Sequence, residues 1–275
     1  MDDKRLMYIW LSLLPGWGCV SVNKLLKQCG GIENCLDISA EELLIRDVKG
    51  GKDSGSKCLI GKKRIDSFIR YREENVSSEG IFDNARMIME QCEQKGINII
   101  TAEDEQYPLR FMGLGDMPVV FYVKGFLNIN NYSRSVGIVG ARRCTPDGKL
   151  KSIDTAIREV SVDSVIISGM AKGVDSYAHT AALKKKGYTV AVLGNGVDIC
   201  YPKEHMKLYE KLTRQGCILS EYPPGTPPRE YMFPKRNRII AALSDVLYVI
   251  DAGRNSGTVS TVENAKKYFR KVEMF

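Results

Sequence analysis

The sequence predicts an α/β fold with a doubly wound, mainly parallel sheet, preceded by a small helical domain. The pattern changes near Ile97, where short, continuously apolar segments begin to alternate with segments of helical periodicity. Strands that are apolar throughout are typical of parallel sheets that helices cover on both faces. Before that point only short helical patterns and glycine-rich turns occur. We therefore predict a helical domain over residues 1–75, a linker helix over 76–99 and an α/β domain over 100–275.

The N-terminal helices are separated by two turns. An apolar helix over residues 6–14 ends at Pro15-Gly16-Trp17-Gly18, and a second helix over residues 20–28 ends before Gly30-Gly31. The first turn resembles a helix–hairpin–helix, whose glycines let backbone N–H groups approach a DNA phosphate. Because this turn has no basic residue, a plain helix–helix connector explains it slightly better. Residues 47–64 are rich in Gly, Lys and Ser and are predicted to form an exposed loop.

The α/β domain is predicted to contain alternating strands and helices. The strands are the apolar, β-rich segments at residues 119–123, 136–139, 165–167, 189–193, 217–219 and 246–250. The helices lie near residues 148–160, 174–186, 203–214, 235–243 and 258–270. Ligands of such sheets bind beyond the carboxyl ends of the strands, so we expect the site in the loops that follow them.

The charge of the chain is concentrated in its second half. Residues 1–134 carry 18 Lys and Arg against 19 Asp and Glu, a balance of −1, whereas residues 135–275 carry 22 against 14, a balance of +8. This asymmetry indicates a polyanionic partner for the α/β domain. On charge alone, an ordinary solubility charge is the simpler interpretation.

Several classes of protein are disfavoured by composition. No segment approaches the ~20 apolar residues that span a bilayer, and residues 6–14 are interpreted as a buried helix, so we expect a cytoplasmic protein without a membrane partner. The eight cysteines form no C-x-x-C pair, and the sequence has only two histidines. This pattern argues against a zinc site and favours reduced, buried thiols. We expect neither a metal nor a cofactor.

Four loops after predicted strands are rich in glycine. They carry Gly140, Arg142 and Arg143 in the first; Ser168, Gly169, Met170, Lys172, Gly173 and Asp175 in the second; Gly194 and Gly196 in the third; and Ser256 and Gly257 in the last. Glycine at a strand-to-helix turn lets backbone amides face outward, and the helix N-terminus adds positive potential. Together these loops predict a phosphate-binding edge, although glycine in one such turn is as often required by packing. None matches the G-x-G-x-x-G fingerprint or the P-loop motif.

A cationic segment joins these loops. It contains Phe233, Lys235, Arg236, Asn237 and Arg238 at a predicted helix start. Arginine donates in a fixed fork to phosphate oxygens, and Asn237 can bond an anion or a base edge. Phe233, together with Tyr201 and Tyr222, can offer rings for base stacking. The alternative is that Phe233 packs in the core and Arg236 pairs with Glu221.

Arg236 and Arg238 are not expected to act alike. They are two residues apart, about 200° around a regular helix, so they cannot both face one ligand. With a helix that begins near Lys235, we predict that Arg236, which is nearer the helix N-terminus, contacts a phosphate of the ligand. Arg238 is predicted to brace the site through Glu221 or Asp251.

The motifs in these loops resemble the DNA-processing protein A (DprA/Smf) family. The resemblance is carried by Val139-Gly140-Ala141-Arg142-Arg143, by Ser168-Gly169-Met170-Ala171-Lys172-Gly173-Val174-Asp175 with His179, by Ser220-Glu221-Tyr222-Pro223-Pro224-Gly225, by Phe233-Pro234-x-Arg236-Asn237-Arg238, and by Ser256-Gly257-Thr258. It spans about residues 100–272, while the first helices resemble the family's SAM-like domain more loosely. The resemblance implies a Rossmann-like domain whose basic pocket binds single-stranded DNA.

The resemblance also implies a cellular role and a set of contacts. The protein would protect incoming single-stranded DNA and load RecA recombinase onto it in natural transformation. The implied contacts come from Arg142, Ser168, Gly169, Met170, Lys172, Phe233, Lys235, Arg236, Asn237 and Arg238.

The chain departs from the family pattern at its end. The family continues past the motif matched by Arg270-Lys271-Val272 into an apolar strand and a further segment, whereas this chain ends at Phe275. We therefore predict that the sheet lacks its last strand and that the strand ending near Ile250 has an exposed edge. The family's homodimer and its RecA contact use the following segment, so the resemblance supports them less than it supports DNA binding.

An enzyme remains the alternative. Nucleoside-monophosphate phosphoribohydrolases with Rossmann-like folds place a Gly-Thr-x-x-Glu helix start at this edge, and Gly257-Thr258 followed by Glu263 is vaguely similar. The glutamate falls at the wrong spacing, and neither paired metal-binding carboxylates nor a Ser/His/Asp constellation is found. Asp175 and His179 share a helix face and are predicted to brace the loop rather than to transfer protons. The sequence therefore favours a non-enzymatic binding protein.

Overall fold

The structure is a computed structural model that describes residues 2–50, 60–76, 80, 82–253 and 257–275. It divides into two compact units. The first comprises residues 1–91 with 115–120, and the second comprises residues 92–114 with 121–275. The division between the two units falls after residue 91, within one helix. The predicted domain boundaries at residues 75 and 100 stay a prediction.

The first unit is helical. Its elements are α1 (Asp2–Ser12), α2 (Cys19–Cys29), a short 3-10 helix (Glu33–Cys35), α3 (Ala40–Gly50), α4 (Lys62–Val76) and α5 (Asp83–Gln94), whose last three residues belong to the second unit. Trp10 and Phe68 pack with ring centroids 6.0 Å apart, and Leu25 and Leu43 are fully buried. Helices α3 and α4 extend into both ends of the loop predicted over residues 47–64, and residues 51–59 of that loop lie outside the described residues.

The second unit is built on an eight-stranded sheet in the described part of the chain. Its strands are β1 (Asn98–Thr101), β2 (Val120–Gly125), β3 (Ser135–Gly140), β4 (Val165–Ser168), β5 (Thr189–Val192), β6 (Cys217–Ser220), β7 (Val246–Ile250) and β8 (Lys271–Met274). Their order is β1-β2-β6-β5-β4-β3-β7-β8. Strands β3 to β8 pair in parallel, and β2 is antiparallel to β6. The predicted mainly parallel sheet is confirmed, and β1 is a strand that the sequence pattern did not reveal.

The helices of the second unit cover the sheet. They are α6 (Pro146–Ser161), α7 (Val174–Lys184), α8 (Met206–Gln215), preceded by a 3-10 turn (Lys203–His205), α9 (Met232–Leu243) and α10 (Val259–Lys267). The chain winds one way from β3 to β6 and then returns to place β7 on the other side of β3. Right-handed crossovers therefore put α6, α7 and α8 on one face and α9 and α10 on the other. The strand order reverses between β3 and β7, and ligands of doubly wound sheets bind at such a point.

Strand β8 corrects the prediction that the sheet lacks its last strand. It pairs in parallel with β7, from Val246 opposite Lys271 to Val249 opposite Met274. After α10, Phe269 adopts a left-handed conformation with φ 57°, so the chain turns back at once and four residues suffice for the strand. The edge of β7 is thus covered, and β8 is the outer strand on this side of the sheet.

Helix α9 begins earlier than predicted. It starts at Met232 rather than near Lys235, so Pro234 lies in the first turn, where a missing N–H breaks no helical hydrogen bond. Arg236 consequently lies in the second turn. This displacement changes which way the arginines of the segment point.

Two general features accompany the fold. None of the described helices is long and apolar enough to cross a membrane. The seven cysteines in the described residues are free thiols, and five of them are buried.

Candidate functional site

A cavity of about 570 Å³ lies at the strand ends where β3 and β7 meet, and we call it the strand-end cavity. Its lining comes from the end of β3, from the loops after β3, β4, β5, β6 and β7, and from α7, α9 and α10. The lining residues are Val139, Gly140, Ala141, Arg142, Ala171, Asp175, Tyr201, Glu230, Phe233, Pro234, Arg236, Asn237, Ile240, Gly257, Thr258 and Thr261. The sequence-based prediction of a site at this edge therefore has a matching cavity.

Arg236 lies at the base of the strand-end cavity and is only 5% exposed. Its Nη1 donates to the carbonyl of Gly169, at 2.8 Å, and to the carbonyl of Val192, while its Nε donates to Asn237 Oδ1 at 3.1 Å. Burial lowers the pKa of Arg236 to about 10, so the guanidinium keeps its charge at neutral pH. A Cβ at Gly169 would lie 2.3 Å from Nη1, so only glycine allows this close approach. Arg236 therefore ties α9 to the ends of β4 and β5.

Arg238 makes a bidentate ion pair with Glu221. Its Nη2 and Nη1 lie 2.6 and 2.8 Å from the two carboxylate oxygens, and the side chains are 14% and 11% exposed. Glu221 is therefore the partner of Arg238, and the alternative in which it pairs with Arg236 is wrong. The predicted pairing of Arg238 with Glu221 is confirmed. The predicted contrast with Arg236 changes, because the Arg236 guanidinium is also bonded to protein atoms.

The loop after β4 is braced from within. Asp175 Oδ2 accepts hydrogen bonds from the backbone N–H groups of Gly169 and Ala171, at 3.1 and 3.4 Å, and the N–H of Val174 donates to the carbonyl of Ala141 at 3.2 Å. The expectation that these amides face outward to a phosphate is thus corrected. Burial raises the pKa of the Asp175 carboxyl group, and the nearby Arg236 opposes the shift.

Other predicted residues of this loop also have structural partners. Ser168 is buried, and its Oγ donates to the carbonyl of Ile138 at 2.6 Å. Met170 is buried in a left-handed conformation with φ 57°. His179 Nδ1 lies 2.7 Å from Thr189 Oγ1 on β5, and burial lowers the pKa of His179 to about 3. The side chains of Ser168, Asp175 and His179 therefore fix the shape of the sheet edge.

The remaining glycines in the predicted site are explained largely by packing. Gly173 has φ 77°, and a Cβ there would lie 2.3 Å from the carbonyl oxygen of Ala141. A Cβ at Gly140 would lie 2.0 Å from the carbonyl oxygen of Ile250, one at Gly194 3.0 Å from the Phe233 ring, and one at Gly196 2.8 Å from the carbonyl oxygen of Pro223. Of these four described residues, only Gly140 lines the strand-end cavity.

Two aromatic rings and one cationic group in the lining of the strand-end cavity contact one another. The rings of Tyr201 and Phe233 are stacked, with centroids 5.5 Å apart and an interplanar angle of 24°. The guanidinium carbon of Arg142 lies 5.9 Å from the centroid of Phe233. Arg142 is exposed, Tyr201 is 44% exposed, and Phe233 is half-buried. We call these three residues the aromatic stack.

The other predicted cations lie outside the lining of the strand-end cavity, as far as the described residues show. Lys172 makes an ion pair with Glu204, and Lys235 places its Nζ 5.1 Å from the centroid of the Tyr231 ring.

Asn237 lines the cavity and also joins two helices. Its side-chain amide donates to the carbonyl of Gly257 and to Ser260 Oγ, at 3.0 and 2.9 Å, and so connects α9 to α10. Gly257 lines the cavity, whereas Ser256 lies outside the described residues.

Some lining residues were not predicted from the sequence. Glu230 and Thr261 line the strand-end cavity, and nothing in their local sequence distinguishes them. The sequence analysis also did not identify Glu204 as the partner of Lys172, because only the fold brings these two residues together. The glutamate considered for the enzyme alternative, Glu263, is exposed on α10 and is absent from the described lining.

The sequence matches a family model and several curated proteins. The model, described as DNA recombination-mediator protein A, matches residues 98–275. The DNA processing protein DprA of Streptococcus pneumoniae is 40% identical over 169 residues, which are 62% of this chain and 59% of that protein. The protein Smf of Synechocystis is 32% identical over 268 residues, which are 96% of this chain and 63% of that protein. The chain thus spans about three fifths of the length of these relatives.

Two solved structures of DNA processing protein A also superpose on this chain. The crystal structure of DNA processing protein A from Streptococcus pneumoniae superposes with a TM-score of 0.75 at 28% identity, over 98% of this chain and 86% of that one. DNA processing protein A from Helicobacter pylori, whose structure is described in terms of its single-stranded DNA binding mode, superposes with a TM-score of 0.59 at 33% identity, over 64% of this chain and 80% of that one.

Proposed function

Because the chain belongs to the DNA recombination-mediator protein A family, we propose that it binds single-stranded DNA in the strand-end cavity and acts in DNA recombination and transformation. The observation that carries this proposal is the aromatic stack beside the cavity. Base–aromatic stacking is available to every base and needs no particular sequence. Arg142 adds a cation that can contact either a phosphate or a base face.

The proposal assigns different roles to the residues of the site. Arg142 contacts the DNA backbone, and Tyr201 and Phe233 present rings to an unstacked base. Lys172 and Lys235 attract phosphates at the rim. Gly257, where an added Cβ would meet no other atom within 4 Å, leaves room for the strand, and Gly140 lets β3 pack closely against Ile250. Arg236, Arg238, Asn237 and Asp175 act as positioning residues, since their polar groups are already bonded to the protein.

Single strands are favoured over duplex on physical grounds. The bases of a duplex are paired and stacked, so their faces cannot reach side chains without the cost of unstacking. The positive balance of the second half of the chain supports binding to a polyanion of either kind. The aromatic stack, and not the charge, therefore provides the preference.

Further roles rest on family membership and on the sequence resemblance alone. We propose that the bound strand is protected and passed to RecA recombinase in the cytoplasm, and that the protein forms a homodimer. Mixing the chain with RecA on DNA coated with a single-strand-binding protein tests the first idea, with RecA filament formation as the readout. Sedimentation of the chain alone tests the second.

Titration with labelled oligonucleotides tests the DNA-binding proposal. We expect the chain to bind a single strand at least about tenfold more tightly than a duplex of the same length, with both titrations at the same salt concentration. Arg142→Ala should weaken single-strand binding by ~1–3 kcal/mol. The matched control is Arg143→Ala, which removes the same charge from an exposed neighbour that is not part of the described lining.

Two outcomes would contradict the proposal. One is equal affinity for single strand and duplex, and the other is the same loss in the Arg142 and Arg143 variants. Release of free base from nucleoside monophosphates would instead support the phosphoribohydrolase alternative.

A further inference from the structure

A second cavity, of about 520 Å³, lies between α7 and α8, and we call it the α7–α8 groove. Its lining includes Tyr177 and Lys184 from α7, and Lys207, Leu208 and Lys211 from α8. Glu204 and His205, just before α8, complete the end nearest to the loop after β4. None of the predicted DNA contacts belongs to this described lining.

The α7–α8 groove is strongly cationic. Lys184, Lys207 and Lys211 are exposed, and among the described carboxylates none forms an ion pair with them. The lining contains one carboxylate, Glu204, and that group is paired with Lys172. Three unneutralised lysines along a groove are expected to attract a polyanion.

The α7–α8 groove adjoins the strand-end cavity. Ala171 and Tyr201 line the strand-end cavity. Lys172, which directly follows Ala171, forms an ion pair with Glu204, which lies three residues after Tyr201. His205, in the groove, has its Nδ1 3.0 Å from the carbonyl oxygen of Met170. The ion pair between Lys172 and Glu204 therefore lies where the linings of the two cavities come close together.

The lysines of α8 are spaced along the direction of the groove. Lys207 and Lys211 are four residues apart in one helix, so their Cβ atoms lie about 5–6 Å apart on the same face. Such a pair can contact successive phosphates of one extended strand. Leu208 and Tyr177 provide apolar surface against which bases can lie.

We propose that the α7–α8 groove is a second binding segment for single-stranded DNA, which continues from the strand-end cavity past Lys172. The proposal rests on the proposed function of the strand-end cavity and extends it by naming the path of the strand. A short oligonucleotide occupies the strand-end cavity alone, whereas a longer one also contacts Lys207, Lys211 and Lys184.

The test compares two lengths of oligothymidylate, about 5 and about 20 nucleotides, on the wild-type chain and on a double variant, Lys207→Glu with Lys211→Glu. We expect the variant to bind the short oligonucleotide as the wild type does and the long one about tenfold more weakly. The salt dependence for the long oligonucleotide should become shallower by roughly 1.4 in log–log slope, which corresponds to two phosphate contacts. A thermal melt verifies that the variant is folded.

The matched control is Lys62→Glu with Lys63→Glu, which makes the same charge change at two exposed lysines of α4 in the first unit. This control should bind both oligonucleotides as the wild type does. Equal losses in the two double variants, an unchanged affinity for the long oligonucleotide, or an equal loss for both lengths would overturn the inference. Failure of the wild type to bind either length would instead overturn the proposed function.

Discussion

At the scale of single residues, most of the polar side chains that the sequence singles out are bonded to other protein atoms. Of the residues singled out in the sequence, Asp175, Arg236, Asn237 and Arg238 have their polar groups bonded to other protein atoms. Arg142 remains an exposed cation in contact with an aromatic ring. Polar residues at the strand ends therefore indicate a candidate binding edge, but they do not show which side chain would contact the ligand.

The ion pair between Lys172 and Glu204 leads to a prediction about affinity. The Lys172 ammonium group holds the pKa of the Glu204 carboxyl group below its usual range, so the carboxylate is charged at neutral pH and repels phosphate. We expect Glu204→Gln to raise the affinity for single-stranded DNA about two- to fivefold, because Lys172 loses a competing partner. Titration at fixed salt measures the change.

Glu210→Gln is the control for this prediction. Glu210 is an exposed carboxylate on α8 and is absent from the described lining of either cavity. If both variants raise the affinity equally, the effect comes from net charge. If Glu204→Gln leaves the affinity unchanged, Lys172 does not contact DNA.

At the scale of elements, α9 organises the site. It carries Phe233 into the aromatic stack, Arg236 onto the ends of β4 and β5, and Arg238 onto Glu221, which follows β6. Because the helix starts at Met232, Arg236 faces the sheet and not the mouth of the cavity. Arg236→Ala is accordingly expected to affect the fold as well as binding.

The pair between α9 and Glu221 leads to a prediction about stability. Arg238→Ala leaves the nearly buried Glu221 carboxylate without its bidentate donor, which should lower the free energy of unfolding by about 1–3 kcal/mol. Urea denaturation measures this change. Single-stranded DNA affinity should stay within about twofold of the wild type, since this guanidinium is already paired.

The double variant Arg238→Ala with Glu221→Ala serves as the control. It should recover part of the lost stability, because no nearly buried carboxylate is then left without its bidentate donor. A large loss of DNA binding with normal stability would show that Arg238 contacts the strand after all.

At the scale of the whole molecule, the parallel sheet buries groups whose protonation is linked to folding. His179 is fully buried, with its pKa lowered from 6.5 to about 3, so the folded state binds fewer protons than the unfolded state. The stability that depends on neutral His179 is present above the unfolded pKa and is lost as the pH falls below it. Asp175 acts in the opposite sense, because its raised pKa favours the protonated form.

A pH series tests this linkage. We expect the free energy of unfolding to fall by about 2 kcal/mol between about pH 7 and about pH 5, a window above the pKa values of ordinary carboxyl groups. His179→Asn should remove most of this dependence. An unchanged pH dependence in the variant would mean that other groups titrate in this window.

The sequence by itself determined the class of fold, the positions of most strands and the sheet edge at which the strand-end cavity lies. These features depend on local apolar periodicity and on glycine-rich strand ends, which are written along the chain. Only the tertiary structure decided that α9 begins at Met232 and that Glu221, rather than Asp251, pairs with Arg238. It likewise decided that β8 covers β7 and that Lys172 meets Glu204. The physical reason is that hydrogen bonds and ion pairs join residues far apart in sequence, so the partner of a charged group is fixed by packing and cannot be read from its neighbours in the chain.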